Sequence, residues 1–179
     1  MSKLYFKEWN KGNIQRKSYN TILSSYLNYS ISNELNLEPF YQREIVWSEE
    51  QQRKYVENIF LGKANINFHI IINKFNSEYY CEILDGKQRL TSLLKFYTND
   101  LKIFDNISFE NLNKKEKFKF ETLIISIVEY STPNLDSDIS DKDKIELFLE
   151  VNELGTKMNT EHLEKIKNMK EIKIWKNYC

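Results

Sequence analysis

The chain has 179 residues with 26 basic and 26 acidic side chains, so its formal net charge is zero, and the overall charge gives no basis for non-specific binding to nucleic acid. An apolar content of 41% with 14% aromatic residues excludes a disordered tail and predicts one compact domain over residues 1–179. No apolar run reaches the roughly 18–20 residues of a membrane helix, so no membrane partner is expected.

Two helices separated by an extended segment are predicted in the first third of the chain. Residues 21–33 have the apolar spacing of a short amphipathic helix. The segment around Pro39 is predicted to be extended, because the residue before a proline avoids the helical region. Ser48 begins the clearest helix, since Gln51 lies at the capping-box spacing, and Gly62 is placed to cap its C-terminus.

Two strands rich in β-branched and aromatic residues follow. Ile66–Asn73 and Tyr79–Leu84 have this composition, and Asn76-Ser77 between them favours a hairpin. The second strand leads directly into Asp85-Gly86-Lys87-Gln88-Arg89. Apolar residues at helical spacing come next, at Leu90, Leu93, Leu94 and Tyr97.

The last third of the chain predicts one more strand and two helices. Leu123–Tyr130 is typical of a buried strand, and Lys142–Leu154 of a helix that stops at Gly155. A final helix is expected to begin near Asn159 or Thr160. Because helices and strands mix without regular alternation, the predicted fold class is α+β, a small mixed sheet with packed helices.

The Asp85–Arg89 loop is the segment with the clearest potential for chemistry. A glycine at the start of a helix lets backbone approach a ligand, and the free N–H groups of the first turn attract an anion. Lys87 and Arg89 add two cations, and arginine can grip a phosphate through two parallel hydrogen bonds. Asp85 is suited to hold a divalent metal or to orient a water molecule. Hydroxyl groups follow on the first turn at Thr91 and Ser92.

A simpler interpretation of the same loop is a plain β-turn-α connection. Asp85 would then cap the helix, and the two cations would lie on the surface. Short Asp-Gly-x-x-Arg strings are common by chance, so the loop alone does not separate the two interpretations.

Three segments, taken in their order along the chain, favour the phosphate-binding interpretation. They are Tyr41-Gln42-Arg43-Glu44-Ile45-Val46-Trp47 before a helix, the stretch from Ile83 to Leu94, and the set Phe148, Asn152, Gly155, Met158 and Asn159. In order and spacing they resemble the DUF262 family, ParB/sulfiredoxin-like domains that carry an Asp-Gly-Gln-Gln-Arg motif and form the nucleotide-responsive half of modification-dependent restriction enzymes. The resemblance covers about residues 20–167, most of the chain.

The resemblance implies a ParB/sulfiredoxin-like α+β fold whose loop receives nucleotide phosphates. The implied ligand-binding residues are Gln42, Gly86, Lys87, Gln88, Arg89, Thr91 and Ser92. Asp85, through Mg²⁺, and Arg43 are implied to serve catalysis. Arg43 has an alternative role in an ion pair with Glu49 or Glu50. Lys87 stands where the family has its first Gln, which preserves phosphate affinity and leaves hydrolysis open.

Other residues are expected to be structural. Trp47 is expected in the core, His69 packed in a strand and His162 on the surface, while Asn152 either shapes a helix end or contacts ligand. The two histidines cannot form the His-Asn-His nuclease of larger family members, and no such C-terminal domain is expected before Cys179. Cys81 and Cys179 have no metal-type spacing, so free thiols and a cytoplasmic protein are expected.

Two functions from different classes follow from the sequence. The first is an enzyme or switch that binds a nucleoside triphosphate with Mg²⁺ and hydrolyses it slowly, in phage defence or counter-defence. The second is a non-catalytic protein, phage-encoded or bacterial, that uses the scaffold to engage DNA or a host or phage protein. A homo-oligomer is compatible with either. A DNA nickase is a weaker third function, because the sequence has no carboxylate cluster.

Overall fold

The computed structural model describes residues 14–73, 78–133 and 137–153, together with residues 164, 166 and 168. Within these residues the strands are β1 (Gln15–Ile22), β2 (Leu35–Asn36), β3 (Asn67–Ile72), β4 (Cys81–Asp85) and β5 (Ile124–Ser131). The α-helices are α1 (Leu23–Ile31), α2 (Glu49–Phe60), α3 (Lys87–Tyr97), α4 (Lys114–Glu121) and α5 (Asp141–Glu153), and a 3-10 helix spans Phe109–Asn111.

The strands form one mixed sheet in the order β1-β5-β3-β4-β2. The β1–β5 and β3–β4 pairs are antiparallel, and the β3–β5 and β2–β4 pairs are parallel. The predicted α+β class with a small mixed sheet is therefore confirmed, including the antiparallel pairing of β3 with β4. The turn expected at 76–77 lies outside the described residues.

Alternate residues of the central strands face two different cores. Ile70 and Ile83 belong to a cluster with α1, α2, α3 and α4, whereas Ile71 and Leu84 belong to a second cluster with α5. This follows from the two-residue period of a strand. Within the described part of the chain, the sheet thus carries α1, α2, α3 and α4 on one face and α5 with Ile166 on the other.

Local signals predicted the helix ends well. Ser48 caps α2 in a capping box with Gln51, and Gly62 follows the helix with φ +67°. Gly155 and the start of the final helix lie outside the described residues, although residues 164, 166 and 168 are helical. Among the described residues, no helix is long and apolar enough to cross a membrane.

Four elements were not predicted. They are β1, β2, the 3-10 helix and α4. β1 carries mostly polar side chains and is exposed along nearly its whole length, so it lacks the alternation that identifies a half-buried strand. Its last two residues fall in the segment predicted as helix, and α1 begins at Leu23.

Candidate functional site

The connection between β4 and α3 requires a glycine. Gly86 precedes the first residue of α3 with φ +100° and ψ 10°. A Cβ atom built on Gly86 would lie 2.5 Å from Phe68 Cδ1 and 3.3 Å from the Asn67 carbonyl oxygen. Left-handed backbone and close packing thus coincide at one position. The helix starts here with its N–H groups and the positive end of its dipole, and no acidic side chain lies in its first turn.

Arg89 is held in a defined orientation by two neighbours. Its Nη2 atom lies 2.7 Å from Asp85 Oδ2 and its Nη1 atom 2.7 Å from Asn67 Oδ1. The Arg89 side chain remains 23% exposed. A guanidinium group carries five N–H donors, so these two bonds orient the group and leave donors for a ligand.

Lys87 is a buried structural cation. Its side chain is 2% exposed, and its Nζ atom lies 2.7 Å from Glu38 Oε2 and 2.7 Å from the Arg43 carbonyl oxygen. The expected contact of Lys87 with phosphate therefore finds no support in its geometry. Instead, Lys87 ties the segment that contains Arg43 to the start of α3.

Two glutamine side chains fasten the 42–47 segment to the same loop. Gln88 Oε1 accepts hydrogen bonds of 3.1 Å from the N–H groups of Val46 and Trp47, and its Nε2 donates to the Glu44 carbonyl at 3.2 Å. Gln42 Nε2 donates to the Leu84 carbonyl at 2.8 Å. The two segments identified in the sequence therefore meet, but through amide groups that are already satisfied by backbone.

A cavity of about 530 Å³ lies beside this junction and is called the loop cavity. It is lined by residues from the 42–47 segment, the β4–α3 loop, three strands and α5. The 42–47 segment and the loop supply Gln42, Arg43, Trp47 and residues 85–89; the strands supply Arg16, Asn67, His69 and Tyr130; and α5 supplies Leu147, Glu150, Val151 and Asn152. Arg43 and Arg89 thus border one cavity.

Arg43 is the arginine of this cavity with the most freedom to bind. Its guanidinium group makes no hydrogen bond or ion pair with the residues that the structure describes. The alternative pairing with Glu49 does not occur, because Glu49 pairs with Arg53 at 2.8 Å. Arg43 is half-buried and its backbone is fixed by Lys87, which leaves a positioned cation at the cavity wall.

His69 and Tyr130 form a second polar wall that sequence reasoning missed. His69 Nδ1 lies 3.1 Å from Tyr130 Oη, and the two rings stack at 5.9 Å between centroids. Burial raises the pKa of the Tyr130 hydroxyl, and the Arg16 guanidinium, which lies near it, lowers that pKa by a smaller amount. Burial lowers the pKa of His69 from its usual 6.5, with Asp85 opposing the shift and Arg16 and Arg89 adding to it. His69 is therefore neutral at pH 7.

Residues 20–173 match the family described as the N-terminal domain of the GmrSD restriction endonuclease. The match covers most of the chain. The chain belongs to the GmrSD N-terminal-domain family. This is the DUF262 domain of GmrSD-type modification-dependent restriction enzymes, so the resemblance found in the sequence is confirmed. No curated protein and no solved structure shows significant similarity to the chain.

Some of the residues predicted to bind ligand lie away from the cavity of this GmrSD-type domain. Ser92 is fully buried and its hydroxyl donates to the Gln88 carbonyl at 2.7 Å, and Thr91 is 8% exposed. Neither residue is among those that line the loop cavity. Successive residues turn by about 100° around a helix, so hydroxyls in the first turn need not face the same side as its N–H groups.

Trp47, expected in the core, and Asn152, expected either to shape a helix end or to contact ligand, both border the cavity. Trp47 is half-buried rather than in the core, and its ring packs edge-on against Tyr55 with centroids 5.5 Å apart. Asn152 Nδ2 donates to the Phe148 carbonyl at 2.7 Å, which supports the helix. Gly155, Met158 and Asn159 lie outside the described residues.

The GmrSD-type cavity has few carboxylates for a metal. Asp85 and Glu150 line it, and the Asp85 carboxylate is already paired with Arg89. The described residues contain no group of three or more His, Cys, Asp or Glu side chains that could hold a metal ion. They therefore do not form a resident metal site, and a Mg²⁺ ion bound here would depend mainly on oxygen ligands supplied with a phosphate group.

Proposed function

We propose that the loop cavity binds a nucleoside triphosphate, with its phosphates between Arg43 and the start of α3. The observation that carries this proposal is the convergence of Arg43, Arg89 and a helix N-terminus on one cavity of about 530 Å³. Ligand pockets commonly measure about 300–1,000 Å³. Membership of a restriction-enzyme family is consistent with a nucleotide-controlled DNA function in phage defence.

The cations have separate tasks in this proposal. Arg89 is oriented by Asp85 and Asn67, so it loses little side-chain entropy when a phosphate binds. Arg43 has no competing partner among the described residues. Both contacts would be charge-assisted hydrogen bonds, which are the stronger kind. Lys87 acts indirectly, by holding the carbonyl group of Arg43.

Asp85 is the residue best placed to influence hydrolysis. Its Oδ2 atom is paired with Arg89, and its side chain is 35% exposed, so the second oxygen can accept a hydrogen bond from a water molecule. A carboxylate in that position can orient water for attack on a phosphoryl group. Asp85→Asn should therefore spare binding and remove any hydrolysis.

Isothermal titration with each of the four common ribonucleoside triphosphates, with and without Mg²⁺, tests the proposal. Arg43→Ala and Arg89→Ala should each weaken binding by about 10- to 100-fold, since a charge-assisted bond contributes about 1.5–3 kcal/mol. Arg53→Ala is the matched control, because Arg53 pairs with Glu49 on α2 and does not line the cavity. Full-strength binding by the Arg89→Ala protein would overturn the proposal.

One observation favours a second candidate, a non-catalytic protein that engages DNA or another protein. Both loop cations are committed to carboxylates of the chain itself, Lys87 to Glu38 and Arg89 to Asp85. If the loop only shapes the fold, the wild-type chain will bind a short DNA duplex or a co-purifying protein but none of the triphosphates.

A further inference from the structure

His69 is a polar residue in a central strand whose neighbouring residues are apolar and buried. β3 lies between β5 and β4, and its residues Phe68, Ile70, Ile71 and Ile72 are all buried. His69 is half-buried and lines the loop cavity. A polar side chain in a central strand needs partners to offset the loss of water, so its presence in this apolar run calls for a specific role.

The strand pairing is irregular at this residue. His69 pairs with Asp85 of β4, and the register shifts between His69 and Ile70, whereas the pairing of His69 with Val128 of β5 is regular. Irregularities of this kind turn a side chain in a new direction and are frequent beside binding sites. Here the irregularity lies where β4 delivers Asp85 to the loop.

Among the described residues, the imidazole ring is anchored through one nitrogen. Nδ1 lies 3.1 Å from Tyr130 Oη, and stacking on the Tyr130 ring fixes the plane of the imidazole. Nε2 makes no hydrogen bond with the residues that the structure describes. A ring that is fixed at one nitrogen and open at the other is prepared to bind a ligand group.

The His69 ring differs in charge from the arginines Arg43 and Arg89. Burial keeps the His69 ring neutral at pH 7 despite the nearby Asp85 carboxylate, and burial raises the pKa of the Tyr130 phenol. Phosphate groups are drawn to Arg43 and Arg89. Arg16 also borders the cavity beside the Tyr130 hydroxyl, so the neutral group that faces the cavity here is the His69 ring. A neutral imidazole suits an uncharged polar group with donors and acceptors, such as a base edge or a sugar hydroxyl.

We propose that His69, positioned by Tyr130, is a recognition residue that binds the uncharged base or ribose part of the nucleotide in the loop cavity. This inference rests on the proposed function and adds a division of the cavity. Arg43 and Arg89 select phosphate, and the neutral His69 ring selects nucleoside.

Comparison of ribonucleoside triphosphates with inorganic tripolyphosphate separates the two parts. His69→Ala should weaken binding of the preferred triphosphate by about 3- to 10-fold, the loss of one neutral hydrogen bond, and should leave tripolyphosphate affinity unchanged. Tyr130→Phe keeps the ring and removes the anchoring hydroxyl, so it should show the same selective loss. Arg43→Ala should weaken both ligands.

Three results would overturn the inference. The first is equal weakening of both ligands by His69→Ala in a protein that melts at the wild-type temperature, which would place His69 on the phosphates. The second is unchanged affinity for both ligands in both variants. The third is a wild-type protein that binds tripolyphosphate as tightly as any nucleotide. A wild-type protein that binds neither ligand would refute the proposed function itself, so the two failures are distinguishable.

Discussion

Replacement of Gly86 by alanine should destabilise the protein more than the same replacement at Gly62. Both glycines have positive φ, +100° at Gly86 and +67° at Gly62, so alanine is strained at either position. They differ in their surroundings. A Cβ atom on Gly62 would meet nothing within 4 Å, whereas one on Gly86 would lie 2.5 Å from Phe68 Cδ1 and 3.2 Å from Arg89 Nη2.

The expected magnitudes follow from these two terms. Left-handed backbone costs a residue with a side chain about 1–2 kcal/mol, which is the whole effect expected for Gly62→Ala. Phe68 is fully buried, so its ring cannot move aside cheaply, and overpacking adds about 1–3 kcal/mol. Gly86→Ala should therefore cost about 2–5 kcal/mol, a large part of a typical stability of about 5–15 kcal/mol.

Equilibrium unfolding in urea measures both variants on one scale, provided that the slope m is unchanged. Gly86→Ala should also weaken triphosphate binding in the folded protein, because the new methyl group displaces the Arg89 guanidinium, while Gly62→Ala should leave binding intact. Equal losses of stability in the two variants would refute the steric argument. Normal binding by Gly86→Ala would show that the loop is not part of the ligand site.

Three further predictions concern the buried polar groups. Lys144→Met should lower the free energy of unfolding, measured in urea, by about 3–5 kcal/mol. The Glu82 carboxylate, which is 7% exposed and 2.7 Å from Lys144 Nζ, would then be buried without its partner. A loss below about 1 kcal/mol would contradict this. Lys87→Met should lower the free energy of unfolding by about 1–3 kcal/mol and should also lower triphosphate affinity. Glu38→Gln should have little effect, because Glu38 is 70% exposed. Equal effects of the two changes would refute the role of Lys87 in holding the Arg43 segment. The pKa of His69 is lowered in the folded protein, so the unfolded chain takes up a proton first as pH falls. The contribution of neutral His69 to stability is therefore present above about pH 6.5 and lost below it. His69→Gln should flatten that part of the pH–stability curve, and an unchanged curve would contradict the lowered pKa.

Much of the fold could be predicted because its signals are local. The Ser48–Gln51 capping box and Gly62 define α2 within a few residues of sequence. The composition of β3 and β4 and the Asp-Gly turn into α3 are equally local. By contrast β1 has an exposed, polar edge, so no hydrophobic pattern identifies it, and its place in the sheet depends on pairing with β5, more than 100 residues later.

In the candidate site, too, some features follow from local sequence and others from the tertiary structure. The order of residues by itself determined that Asp85, Gly86 and Arg89 meet at the start of a helix, since a strand, a left-handed glycine and one helical turn bring them together. Residue order also carried the family resemblance through Tyr41–Trp47. These features need only neighbours in the chain.

Only the tertiary structure decided which of the site's side chains remain available. Lys87 and Arg89 are two residues apart and both border the cavity, yet the Lys87 side chain is buried against Glu38 whereas the Arg89 side chain stays partly exposed. His69 becomes part of the site because Tyr130 and Arg16 arrive from β5 and β1. Burial and pairing depend on surfaces contributed by distant segments, and a side chain's charge, partners and freedom to bind are set by those surfaces rather than by its neighbours in the chain.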